Sequence, residues 1–522
     1  MKYTTLSLLL AVSLFPSFTH AQSAPPEQPL DPIVKQIVNE AHQNSQLKQL
    51  AHELLDVVGP RLVGTPQMKH AHEWAVTKYK EWGIETRYEE FGKWRGWERG
   101  ISHIDMIYPR VKTLTGTQLA WSPTTGGKAV EGEVITLPRV NDSQAFQAWL
   151  PAVKGKYVLV SMPQPTGRPD HNWEAYGKPQ TIERMKRERD SLTNAWDQQI
   201  IAMGVSSNSL PRILEEAGAA GILQCYWSHE FGSNKIFGAR TTVVPSLDLS
   251  LEDYGVLYRL AESGHKPRIR VETDSKDLGI VPTFNTIAEI KGTEKPDEYV
   301  ILSAHFDSWE GGSGATDNGT GTITMMEIAR ILKKVYPNPK RTILIGHWGS
   351  EEQGLNGSRA FVLDHSDIVE KTQAVFNQDN GTGRVASING SGFLHAYDFM
   401  GRWLSAAPRE VTADIKTDFP GSPSSGGSDH ASFTAAGIPA FMMSSLSWDY
   451  STVTWHTNLD TYDKLVFDDL RDNVILIATL AYKASEEPEL VDREKRVMPQ
   501  GQNGQRAQWP IIRQPRRTGV GY

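Results

Sequence analysis

The 522-residue sequence predicts an α/β protein, a mixed, mostly parallel central sheet flanked by helices, interrupted by an inserted β-rich segment. Three observations carry that expectation. From Thr286 onward short apolar runs alternate with helical stripes, as strands buried on both faces require. Between Glu131 and Val271 the pattern changes to short strands separated by turns. Polar, chemically capable residues follow directly after the predicted strands of the later region, where open α/β sheets gather functional groups.

The first residues read as a unit of their own. Lys2 gives a positive start, Leu6 to Phe18 is mostly apolar but too short to span a bilayer, and Thr19-His20-Ala21 ends in a small residue. The expectation is a signal peptide at 1–21, with Gln22 as the new N-terminus and a secreted or periplasmic protein. No later window approaches 18 uninterrupted apolar residues, so no membrane span is expected. The formal net charge of −7, without a long basic run, argues against a nucleic-acid partner. Cys225 is the only cysteine, which excludes an intrachain disulfide; its apolar surroundings suggest a buried, inert thiol.

Residues 22–130 are read as the first part of the main domain. Two amphipathic helices are expected between about 33 and 90, broken by the paired Gly and Pro residues of Gly59-Pro60-Arg61-Leu62-Val63-Gly64-Thr65-Pro66. Within the insertion, 131–271, strands are expected at 132–135, 155–160, 221–223 and 243–247, with the charged stretch Pro165 to Asn194 as an exposed elaboration or lid. Residues 272–485 return to the main domain. Strands are expected near 299–302, 342–345, 374–376 and 440–443, and helices over 322–335 and 467–485. The tail, 486–522, is rich in Gln, Arg and Pro, lacks periodicity, and is expected to be loosely ordered.

Five polar segments stand out. Ser303-Ala304-His305-Phe306-Asp307 follows a strand, and alternation puts His305 and Asp307 on one side, where a carboxylate can orient an imidazole. Gly314-Ala315-Thr316-Asp317-Asn318-Gly319 opens a helix, but no Lys-Ser/Thr follows it, which argues against a phosphate loop. Glu351-Glu352, Asn377-Gln378-Asp379 and Trp455-His456-Thr457-Asn458-Leu459-Asp460 complete the set. A surface Glu pair or a lone His is ordinarily structural. Together, two His and three carboxylates suit paired zinc ions, and a neighbouring non-ligand carboxylate suits proton transfer.

In that order, H-x-D, Gly-Ala-x-Asp-Asn-Gly, Glu-Glu-x-Gly, N-x-D and H-T-x-x-D, the motifs resemble those of the co-catalytic dizinc aminopeptidase family, which includes plasma glutamate carboxypeptidase. The resemblance is strong over about 284–485 and extends to Gly59–Thr65; the insertion is similar to a protease-associated domain. It implies a zinc exopeptidase fold and two Zn²⁺ per chain acting on peptide substrates. His305 and Asp379 would hold one ion, Glu352 and His456 the other, and Asp317 both. Glu351 would be the general acid/base, taking a proton from a bridging water, and Asp307 would orient His305. His430, in Gly427-Ser428-Asp429-His430, would donate to substrate or merely pack. An aminopeptidase or dipeptidase is the implied activity. The alternatives are a catalytically silent binding protein on the same fold, or a one-zinc acyl-transfer enzyme of the glutaminyl cyclase type.

Overall fold

The structure, a computed structural model, describes residues 30–501 and 504–521, so the signal peptide expected at 1–21 lies outside the described residues. Helix α1 (Pro32–Gln43) starts where the Asp31 carboxylate accepts from the Ile33 N–H. Helix α2 (Pro66–Glu81) is capped likewise by the Thr65 hydroxyl, which accepts from Met68. The Gly-Pro segment between them forms the expected break; Gly64 has φ +82°, a left-handed conformation natural to glycine.

Strand β1 (Glu85–Tyr108) then leaves the body of the protein. The chain continues through β2 (Gly116–Gln118), β3 (Val130–Thr136), β4 (Tyr157–Leu159), α3 (Pro179–Ala202), β5 (Gly221–Gln224), β6 (Ser246–Leu249) and α4 (Leu251–Glu262). It returns along β7 (Arg268–Ile290), antiparallel to β1 over nearly the whole length of both strands. Strands β3 to β6 form a parallel set, with β2 antiparallel on its edge. Val130 pairs with Val271 and Glu131 with Arg270, so both ends of the inserted segment meet on the same ribbon.

The insertion has cores of its own. Leu159, Leu223, Leu247 and Leu249 pack with Tyr254 and Leu257 of α4 in one cluster. Val158 and Ile222, which alternation turns to the opposite face, pack with Phe146, Leu210 and Leu214 in another. The segment carries more helix than its strand-and-turn pattern predicts. The stretch from 165 to 194, expected as an exposed elaboration, is largely helical, with α3 burying only Met185 and Ile200.

The main sheet runs through β8 (Lys295–His305), β9 (Arg341–Trp348), β10 (Thr372–Asn377), β11 (Val385–Asn389), β12 (Lys416–Asp418) and β13 (Ala440–Ser445). Its order is β12-β11-β13-β10-β8-β9-β7, followed by β1. Strands β13, β10, β8 and β9 are parallel, while β7 runs against β9, and β11 runs against β13 but parallel to β12, giving the mixed sheet expected. Each apolar run supplies both faces. Val300, Leu302, Ile343, Ile345 and Phe376 face one cluster, with α5 (Thr320–Val335) and α6 (Phe467–Glu486) packed over it; Ile301, Leu344 and Val375 face another with Phe361 and Phe433.

The tail departs from expectation. Although poor in regular structure it is docked: Val491 is buried, Trp509 packs on the main core, and β14 (Thr518–Gly519) pairs with Lys93 and Trp94 of β1. The Arg516 guanidinium donates to the Gln353 carbonyl, and the Lys93 N–H to the Arg517 carbonyl. Backbone hydrogen bonds and Arg forks, rather than an apolar stripe, hold it. Among the described residues, no helix is long and apolar enough to cross a membrane.

Two buried imidazoles sit behind the sheet edge. His72 pairs with the Thr286 hydroxyl at 2.7 Å and His347 with the Tyr79 hydroxyl at 2.7 Å. Burial depresses both to about 3, and His72 adds to the effect on His347. An unfolded histidine titrates at about 6.5, so below that pH the unfolded chain takes protons that the native protein refuses. Stability is therefore full above about pH 6.5 and falls as pH drops towards 3, by up to about 1.4 kcal/mol per pH unit for each histidine. Denaturant unfolding of metal-free protein between pH 7 and pH 4.5 should show a shallower dependence in His72→Gln than in wild type. Parallel slopes would refute this account.

Candidate metal centre

The ligand-type residues and Glu351 lie at the C-terminal ends of parallel strands or in the loops that follow them. His305 ends β8, Glu351 and Glu352 follow β9, and Asp379 follows β10. Asp317 comes from the loop between β8 and α5, and His456 from the loop after β13. The fold thus converges on one spot from four connections.

Two groups of potential ligand atoms form there. His305, Asp317 and Asp379 make one; Asp317, Glu352 and His456 make the other, and in each the ligand atoms lie within 4.8 Å of one another. Asp317 is common to both through different oxygens. Its Oδ1 is 3.4 Å from His305 Nε2 and its Oδ2 is 3.1 Å from His456 Nε2. His305 Nε2 also lies 2.9 Å from Asp379 Oδ1, and His456 Nε2 2.9 Å from Glu352 Oε2.

This donor set fits metal. Asp317 Oδ2, Glu352 Oε1 and His456 Nδ1 are buried without a hydrogen-bond partner among the described residues. Three carboxylates crowd two imidazoles, and each imidazole offers only one N–H towards them. Such a concentration of acceptors is stable only beside added positive charge. The local electrostatics register the same imbalance. Burial works against the charged form of His305, yet Asp379 and Glu351 hold its pKa well above the ordinary value. His456 is pushed to about 10, burial being outweighed by Glu352 and Asp317. Burial raises the carboxyl of Glu352 to about 7, with Asp317 adding to the rise and His456 opposing it.

Glu351 stands beside the groups without belonging to either. Burial raises its carboxyl well above the ordinary range against the pull of His305, and Asp379, Asp429 and Glu352 add to the rise. A carboxyl held in that way can keep or release a proton near neutral pH.

Asp307 has a different place from the one expected. The His305 Nδ1 partner is the Asp307 carbonyl at 3.0 Å, whereas the nearest carboxylate oxygen is 3.7 Å away. That carboxylate instead accepts from the N–H groups of Glu351, at 3.0 Å, and Glu352, at 3.2 Å. One residue therefore aims the imidazole with its backbone and the Glu pair with its side chain.

Other polar groups support the loops. Asp460 accepts from the N–H groups of Thr316 and Asp317, fixing the loop of the shared carboxylate. Gly314, at the start of that loop, has φ +62°. Arg61, read from sequence only as part of a turn, is fully buried and donates to the carbonyls of Gly59, Phe306, Ser313 and Gly314. Its guanidinium ties the Gly-Pro segment to both ends of the His305–Asp317 connection. Tyr450 also escaped sequence reading. Burial raises its phenol well above the usual value, with Asp317, Asp379 and Glu352 adding to it. Its surroundings in sequence, Asp449-Tyr450-Ser451, carry no signal of this. His430 is buried, its pKa lowered to about 4 by burial, and its Nδ1 has no partner among the described residues. Cys225 is partly buried, and burial pushes its thiol pKa far up, consistent with an unreactive side chain.

The inserted segment reaches this centre. The Ile236 N–H donates to the His456 carbonyl at 2.8 Å, and the Phe237 ring meets the imidazole edge-on at 5.3 Å. His456 itself has φ +60°, a costly conformation for a non-glycine residue that these contacts hold in place.

Comparison with known proteins bears on the same region. Residues 285–481, which supply all five ligand-type side chains as well as Asp307 and Glu351, match the model of Peptidase family M28. The protein is a metallo-exopeptidase. Carboxypeptidase Q of Rattus norvegicus is 28% identical over 354 residues, covering 67% of this chain and 68% of that protein. The Homo sapiens carboxypeptidase Q is 26% identical over the same coverage. The fold is similar to that of a peptidase M28 precursor from Shewanella amazonensis SB2B, with a TM-score of 0.62 and 22% identity over 88% of this chain and 97% of that one. It is also similar to a zinc aminopeptidase from Bacillus subtilis, with a TM-score of 0.52 and 18% identity over 86% and 95% of the two chains. Through its 285–481 segment the chain is similar to peptidase family M28, and that similarity supports the co-catalytic zinc aminopeptidase family that the sequence motifs resemble.

Proposed function

We propose that the chain is an exported dizinc exopeptidase of the aminopeptidase or dipeptidase type. The observation that carries this reading is the sharing of Asp317, one oxygen towards each group of ligands. His305 and Asp379 would hold one zinc, Glu352 and His456 the other, and Asp317 both. Bound there, zinc supplies Lewis acidity towards the scissile carbonyl and makes water more acidic.

The chain's own groups do the rest. Glu351 accepts a proton from the attacking water and returns it to the leaving amine. Asp307 fixes the Glu351–Glu352 backbone, so the proton carrier and the adjacent ligand keep a constant relation. Asp460 and Arg61 hold the loop that presents Asp317. The segment from 131 to 271 acts as a protease-associated-like module beside the site, with 22–130 and 272–485 forming the catalytic domain. Residues 1–21 serve as its export signal. The names of the relatives, a carboxypeptidase and an aminopeptidase, support exopeptidase action.

The purified protein is expected to carry two zinc ions per chain and to hydrolyse dipeptides or aminoacyl anilides until a chelator removes them. Elemental analysis finding no metal in protein that still turns over would refute the proposal.

A further inference from the structure

We propose that Lys235, on the inserted segment, binds the C-terminal carboxylate of the substrate, making short peptides with a free C-terminus the preferred class. This rests on the reading of the centre as a peptidase site. The first support is position. The Lys235 ammonium lies 3.6 Å from the centroid of the Trp455 ring, and that ring lies tilted against the His456 imidazole, with the centroids 4.3 Å apart. The Asp317 carboxylate is the charge that acts on Lys235, against the effect of burial.

The second is rigidity. Lys235 faces Thr457 across an isolated antiparallel bridge. On either side of it, the Asn234 N–H donates to Asn458 Oδ1 at 2.7 Å and the Ile236 N–H to the His456 carbonyl at 2.8 Å. The Ser233 hydroxyl donates to the Thr452 carbonyl, and Asn458 Nδ2 to the Gly232 carbonyl. Its backbone is therefore bolted to the loop that carries His456. A binding group pre-positioned in this way loses little freedom when it engages a ligand.

The third is its lack of a partner. Lys235 is half-buried, and no carboxylate among the described residues lies within ion-pair distance of it. The nearby Arg61 contrasts with it, since its donors are spent on carbonyls. A half-desolvated ammonium over an aromatic face, with no carboxylate at ion-pair distance, is a site for an anion. In a dipeptide the carboxylate belongs to the residue directly after the scissile bond, one Cα–Cα step of about 3.8 Å further on. That is the anion a cation beside the centre meets first. Longer peptides place an uncharged amide there instead.

The test uses metal-loaded Lys235→Met and Lys235→Arg proteins, each with a dipeptide, the same dipeptide as its C-terminal amide, and an aminoacyl anilide. In wild type kcat/KM should favour the free acid over the amide. In Lys235→Met that preference should fall about 10- to 100-fold, mainly through KM, and Lys235→Arg should restore most of it. Calorimetry with a reduced-amide dipeptide and its C-terminal amide should show the same loss of discrimination in binding. An unchanged acid-to-amide ratio in Lys235→Met, or an equal fall for all three substrates, would overturn the assignment. A wild-type protein that binds zinc but hydrolyses none of the substrates would overturn the peptidase reading instead, and calorimetry would then still decide for or against Lys235.

Discussion

Replacing Glu351 with Gln should leave two metal ions bound and abolish nearly all turnover. The substitution keeps the length of the side chain and leaves untouched the two backbone N–H groups that Asp307 accepts. It alters no member of either ligand group. What it removes is a group able to take up a proton and give it back. Such groups contribute roughly 10²–10⁴-fold, so kcat should fall by at least about that factor while KM changes little. Elemental analysis and steady-state kinetics on the same preparation check both halves. Turnover close to wild type would remove Glu351 from the mechanism.

Asp317→Ala should behave differently, because Asp317 is the only side chain common to the two groups. Without it His305 keeps only Asp379 as a partner at its site, and His456 keeps only Glu352. Two protein ligands fall below the three that catalytic zinc sites ordinarily have. The variant should lose most of its metal in dialysis that leaves wild type and Glu351→Gln loaded, and its activity should disappear with it. Its melting temperature should also lose the increment that zinc gives wild type. Full metal content in Asp317→Ala would show that the shared carboxylate is not a ligand.

Much of the main sheet was legible because its strands are buried on both faces. Runs such as Val300-Ile301-Leu302 and Ile343-Leu344-Ile345 have to be apolar throughout. The convergence of the candidate site was legible for a related reason, since polar side chains directly after such runs stand out. The ribbon of β1 and β7 was not. Its register shifts between Glu90 and Gly92, between Gly96 and Trp97, and between Arg99 and Ser102, and each shift breaks the two-residue alternation that marks a strand. Helix α3 escaped because it buries so little that it needs no apolar stripe. Arg61 escaped because its partners are backbone carbonyls, which no side-chain pattern announces. The carboxylate of Asp307 was placed on the right motif but on the wrong partner, since spacing of two puts it near His305 without fixing which atoms meet.

The ribbon also bears on how the molecule reaches its native state. Glu85 pairs with Glu289 and Tyr108 with Arg268, so every rung joins positions separated by most or all of the inserted segment. Closing so long a loop in an unstructured chain is entropically unfavourable and slow. The inserted segment has its own apolar cores, and the pairing of Val130 with Val271 brings its ends together. Once it has collapsed, the loop is effectively short and the ribbon can zip from that end towards Glu85. Strand β7 then supplies the edge on which β9 assembles. The order of events would run from the insertion to the catalytic sheet, making a segment that supplies none of the five ligand-type side chains the first to commit.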